Sequence, residues 1–213
     1  MTEEDWLVCA NPTPMWWIVE GRASDRKLRL VACACCRRIW HLLSEGSKQI
    51  VESAEHLADG LITVEEAQEF LRIGSEVDRI PLGIDEYSVT RSALISHRSV
   101  IRAVPALAAS FVDSVGGSRE EEARCQCALV RDIVGNPFHP APTLDLAWLG
   151  CNDGAVRCMA QAIYAERAFD RLPILADALE DAGCDNADIL QHCRSEGPHV
   201  RGCWVIDLLL GKS

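Results

Sequence analysis

The sequence predicts an all-α protein, an irregular multi-helix array of about ten short helices. Three observations predict it. Apolar residues recur at the spacing of an amphipathic helix along most of the chain. Thr63-Val-Glu-Glu66 and Ser118-Arg-Glu-Glu121 both carry the capping-box pattern, a hydroxyl followed three residues later by a carboxylate. No stretch alternates cleanly with β-branched residues, and no Asn-Gly or Asp-Gly pair joins two such runs.

Each element follows from local punctuation. Pro14 sits in the first turn of a short helix, Met15 to Glu20, closed by Gly21. Ser24 caps a helix expected over Asp25 to Leu43, with Leu28, Val31, Ala32, Cys35, Ile39 and Leu42 on its apolar positions. Gly46-Ser47 restarts the chain through Ile50, Val51, Ala54 and Leu57 as far as Gly60. The Thr63 box opens a helix towards Val77, and Pro81 and Gly83 end that region. Further helices fit Asp85 to Val104 and Pro105 to Phe111. Gly116-Gly117 is the clearest hinge, dividing an N-terminal helical region, 1–115, from a C-terminal one, 118–213, which can pack as one domain.

In the second region the Ser118 box starts a helix to Val134, stopped by Gly135-Asn136-Pro137. Phe138 to Thr143 holds three prolines and reads as an extended loop. Helices are then expected from Gly154 to about Phe169, over Leu175 to Ala182, from a cap at Asp185 or Asn186 through Cys193, and over Cys203 to Leu210.

Composition excludes several function classes. The chain has 213 residues and a net charge of −11, so it is a poor general binder of phosphate backbones or anionic membranes. No apolar run reaches the roughly 18–20 residues of a membrane span. The acidic start, Thr2-Glu-Glu-Asp5, lacks the form of a secretory signal, and a cytoplasmic location is expected. Eleven cysteines, an odd number placed largely in helical patterns, point to free thiols in a reducing compartment. The fingerprints Gly-x-Gly-x-x-Gly, His-Glu-x-x-His and Gly-x-Ser-x-Gly are absent, so no argument for an enzyme arises.

Three strings stand out: Arg26-Lys-Leu-Arg-Leu-Val-Ala-Cys-Ala-Cys-Cys-Arg-Arg-Ile-Trp40, Leu129-Val-Arg-Asp-Ile-Val-Gly-Asn-Pro-Phe138, and Leu172 to Cys184 continuing to His-Val-Arg-Gly-Cys-Trp204. Together they resemble a lineage-restricted, many-paralogue family of planctomycete-type bacterial proteins with no assigned activity. The resemblance covers both ends but not residues of about 60 to 118. It implies a bacterial cytosolic protein and supplies no site residues.

The strongest chemical constellation is Cys184, His192, Cys193, His199 and Cys203, five soft or borderline ligands in one 20-residue stretch. Four of them would satisfy a tetrahedral zinc ion, although no Cys-x2-Cys knuckle is present. Packing thiols are the competing reading. A second set, Cys33, Cys35, Cys36 and His41, lies along one helix, which cannot complete a tetrahedral site alone. Cys184 is the best candidate for a reactive thiol, and Asp188 and His192 stand in register for an acid–base pair.

The basic stretch Arg22, Arg26, Lys27, Arg29, Arg37 and Arg38 suits either an anion contact or pairing with acidic neighbours. Trp16 and Trp17 cannot both face one core, so one is expected to be exposed. The reading these features favour is a helical interaction or adaptor module that binds another protein without catalysis and without a cofactor. The alternative is a structural zinc protein built on the C-terminal cluster.

Overall fold

The computed structural model describes residues 1–77, 86–94, 103–139 and 142–212. Among them are thirteen α-helices and no strand, which bears out the all-α expectation. They are α1 (Glu3–Val8), α2 (Pro12–Val19), α3 (Asp25–Arg38), α4 (Glu45–Ala58), α5 (Val64–Val77), α6 (Glu86–Leu94), α7 (Val104–Ser114), α8 (Arg119–Val134), α9 (Leu146–Gly150), α10 (Ala155–Glu166), α11 (Leu172–Asp181), α12 (Ala187–Cys193) and α13 (Trp204–Leu210). The stop expected at Pro81 and Gly83, and part of the helix expected over Asp85 to Val104, lie outside the described residues, as does the middle of the Phe138–Thr143 loop.

The caps explain where helices start. Thr63 accepts from the Glu66 amide at 3.2 Å while its own amide donates to Glu66 Oε2 at 2.7 Å, so the expected box is complete. At Ser118 the hydroxyl accepts from the Glu121 amide at 3.2 Å. Ser24 accepts from Lys27 and Asn186 from Ile189, both as expected. α3 stops at Arg38 rather than Leu43. Ser44 is the true cap of α4, and its extended backbone (ψ 162°) cannot continue a helix, so Trp40–Leu42 forms a 3₁₀ turn between the two. α1 and α9 escape a periodicity reading because they have six and five residues. Gly116, at φ +85°, ends α7, and the Gly117 amide returns to the Val112 carbonyl at 2.9 Å.

The chain forms two compact units, Met1–Val130 and Arg131–Ser213. In the first, α3 packs against α4, α6 and α7, and α4 against α5 and α6. Its core includes Trp6, Met15, Leu28, Val31, Cys35, Cys36, Ile50 and Val51. Of the adjacent tryptophans, Trp16 is buried and Trp17 is 68% exposed. In the second unit α10 packs against α9, α11 and α13, while α12 closes on α11 and α13. Ile163, Leu172, Leu175, Leu179, Ile189, Val205 and Leu209 fill that core. Among the described residues no helix is long and apolar enough to cross a membrane.

Neighbouring positions on α11 test this packing, since Leu175 is 0% exposed and Ile174 57% exposed. Leu175→Ala is expected to destabilise the second unit by about 2–5 kcal/mol. Ile174→Ala should change stability by less than about 0.5 kcal/mol in the same urea titration.

Candidate functional site

The second unit gathers Asp132, His192, His199 and Cys203, whose ligand atoms all lie within 4.8 Å of one another. Asp132 comes from the last turn of α8, His192 from the last turn of α12, His199 from the following loop and Cys203 from the residue before α13. Three of the five residues expected from the sequence therefore converge, joined by a carboxylate distant in the chain.

Asp132 is 3% exposed and its carboxylate is fully engaged. Oδ1 lies 2.7 Å from His199 Nδ1 and 3.1 Å from His192 Nε2. Oδ2 accepts from the Val200 amide at 2.9 Å. Burial alone would raise its pKa, but hydrogen bonds and charge from the two histidines outweigh that and hold it below the ordinary carboxylate range.

The rings are oriented from their far sides. His199 Nε2 faces the Ser195 carbonyl at 3.2 Å, an acceptor, so that nitrogen carries a proton. The Nδ1 contact with Asp132 calls for another, so the two contacts together favour the protonated ring. Burial pulls the His199 pKa down, yet Asp132 and the Ser195 carbonyl outweigh it and the net shift is upward. His192 Nδ1 accepts from Trp204 Nε1 at 3.0 Å, so its proton sits on Nε2, between Asp132 and the Cys203 Sγ 3.2 Å away.

Cys203 is fully buried. Burial first, and then the Asp132 charge, push its pKa well above the ordinary thiol range, while the Ile206 and Val205 amides offset only part. A buried, un-ionised thiol is a poor nucleophile.

The remaining expected residues fall elsewhere. Cys184 and Cys193 belong to the core of the second unit. Burial raises the Cys184 pKa and pushes Cys193 up to about 12, which corrects the reading of Cys184 as a reactive thiol. The acid that meets His192 is Asp132 and not Asp188, which is exposed on α12. Cys33, Cys35 and Cys36 are buried in the first unit, while His41 is exposed. The basic stretch is largely internally paired. Arg26 bonds Asp59, Arg37 grips Glu55 through both oxygens, and Arg38 meets Glu122 at 2.8 Å. Buried Arg29 donates to the Leu94 carbonyl at the end of α6 at 2.8 Å.

Sequence reasoning missed Asp132, 60 residues before His192, because only packing brings α8 to this loop. One signal was available: Asp132 lies beside Leu129, Val130 and Ile133, where an unpaired acid has no place in a core. Comparison with protein-family models, curated proteins and solved structures finds no match for the chain.

The Asp132–His199 pair sets a pH window for the metal-free protein. The folded Asp132 pKa is depressed, so its contribution is present above the unfolded value of about 4 and lost as pH falls through the folded one. The folded His199 pKa is raised, so its contribution is full below the unfolded value of about 6.5 and lost as pH rises through the folded one. Their joint contribution is therefore greatest between about pH 4 and 6.5. Urea midpoints measured across pH should show it, and His199→Gln should remove the loss on the alkaline side.

Proposed function

We propose that the second unit is a structural metal-binding module in which Asp132, His192, His199 and Cys203 hold one Zn²⁺. The convergence of four donors carries the reading. One oxygen, two imidazole nitrogens and one sulfur make a set that borderline Zn²⁺ favours. Zinc bonds of about 2.0–2.3 Å imply ligand–ligand edges of roughly 3.3–3.8 Å in a tetrahedron. The three contacts of 2.7–3.2 Å between donors would open by about half an ångström towards those edges, and the wider pairs, up to 4.8 Å apart, would close by up to about an ångström.

The surroundings support the same reading. The Ser195 carbonyl fixes His199 so that Nδ1 faces the centre, and Val200 fixes the Asp132 carboxylate, the outer-shell bonds that orient metal ligands. Four protein ligands fill a tetrahedron and leave no position for substrate, which favours a structural role. Free cysteines across the chain suit a reducing, cytoplasmic setting, as does the resemblance to planctomycete-type proteins.

Protein purified without added zinc is expected to carry about one equivalent per chain, and a chelator should lower its Tm. His199→Ala and Cys203→Ser should abolish retention, while Cys158→Ser, at an exposed position, should keep it. Zinc content near zero, no uptake on titration and a chelator-insensitive Tm would overturn the proposal. Binding must displace the His199 and Cys203 protons, so affinity should fall as the pH is lowered.

A second reading concerns the first unit and rests on Trp17. Its exposed ring borders a groove of about 690 Å³ lined by Pro12, Trp16, Pro105, Ala109 and Arg124. An exposed tryptophan beside an apolar groove is the form of a protein-binding anchor and supports the adaptor role. Trp17→Ala should then leave stability within about 0.5 kcal/mol of the parent. A large fall in Tm would instead assign Trp17 to packing.

A further inference from the structure

We propose that Trp204 is a gate on the metal site: its hydrogen bond to His192 and a metal ion on His192 exclude one another. The inference rests on the metal-binding reading and follows from donor counting. An indole N–H can only donate, so His192 Nδ1, 3.0 Å away, presents a lone pair and the ring proton occupies Nε2. Nε2 is the nitrogen that faces Asp132 Oδ1 at 3.1 Å and Cys203 Sγ at 3.2 Å, and so is the one aimed into the site. A neutral imidazole that binds a metal through Nε2 must carry its proton on Nδ1. That proton would then meet the indole N–H head-on. Loading therefore requires the ring proton to move from Nε2 to Nδ1 and the Trp204 bond to break.

The contrast with His199 sharpens the point. There the outer partner is the Ser195 carbonyl, an acceptor, which keeps the far nitrogen protonated and leaves Nδ1 to coordinate. His199 obeys the usual outer-shell rule, and His192 has a donor where the rule requires an acceptor. Trp204 packs against His192 and Gly135. Its ring centroid lies 5.0 Å from that of His192. A Cβ on Gly135 would meet the indole at 3.4 Å, an ordinary van der Waals contact. Because Trp204 directly follows the ligand Cys203 and begins α13, release of its bond reaches the helix that closes the unit.

The experiment is a Zn²⁺ titration of the full chain and of Trp204→Phe against a chromophoric chelator. The ring nitrogens of His192 and the indole N–H signals are followed by NMR. Removing an outer-shell partner ordinarily weakens metal binding 10–100-fold. Removing a competing donor should do the opposite, and Trp204→Phe is expected to bind roughly three- to tenfold tighter, the scale of one net hydrogen bond. In the parent, zinc should convert His192 from Nε2–H to Nδ1–H and shift the one indole signal missing from Trp204→Phe. Weaker or equal binding by the variant, with the indole signal unmoved by bound zinc, would overturn the gate and leave the metal site standing. If neither protein takes up zinc, the metal reading fails and the gate with it. Should Trp204→Phe not fold, the His192 tautomer in the parent with and without zinc decides the question.

Discussion

A carboxylate taken out of water costs several kcal/mol unless charge and hydrogen bonds replace its hydration. Asp132 meets that cost in a particular way. Its partners are two histidines and a backbone amide drawn from residues 192 to 200, a segment that Arg194 also ties to Glu180 and Asp177. Between Cys193 and Trp204 there is no regular helix. Removing the carboxylate would leave two imidazoles and an amide without their partner, so the loss would exceed any single bond. The same carboxylate makes the site chemically legible, because it draws two ring nitrogens towards one point.

Much of the fold was readable because helix starts are written in short-range chemistry. Ser24, Thr63, Ser118 and Asn186 each act within three residues of themselves, so their caps survive in any tertiary context. Helix ends were less readable. α3 overran in the reading because Ile39 and Leu42 keep the apolar rhythm, whereas the chain leaves the helix to reach the cap at Ser44. Periodicity records which residues are buried and cannot say whether a 3₁₀ turn buries them equally well. Two glycines mark ends that do require glycine: Gly116 at φ +85° and Gly135 at φ +77°.

The site was half readable for a related reason. In α12, Ile189 and Cys193 stand four residues apart and share the core face, while His192 is turned about 100° from Cys193. Helical phase alone separates the site histidine from the packing thiol, and counting Cys and His without phase blurs them. Cys184 follows Gly183, and its amide returns to the Leu179 carbonyl, so it completes the end of α11 rather than a metal shell. Asp132 could not be reached by spacing, since its pairing with His192 and His199 is a fact of tertiary packing.

The four donors have two ways of being satisfied, by protons or by a metal ion, and the difference bears on how such a unit folds. In small zinc domains the ion replaces a core and the apo chain is unfolded. Here Leu172, Leu175, Leu179, Val205 and Leu209 form a core of aliphatic side chains, to which Cys203 is the one site residue that also belongs. Without metal, Asp132 still has His199 as a charged partner and Cys203 stays a buried neutral thiol. Neither state leaves a buried charge uncompensated. On the proposed reading a metal would add to a unit that already has a reason to fold, and its effect would concentrate on residues 192 to 204. Those residues carry three of the four converging donors and Trp204, whose bond to His192 Nδ1 the proposed metal-bound state would not accommodate.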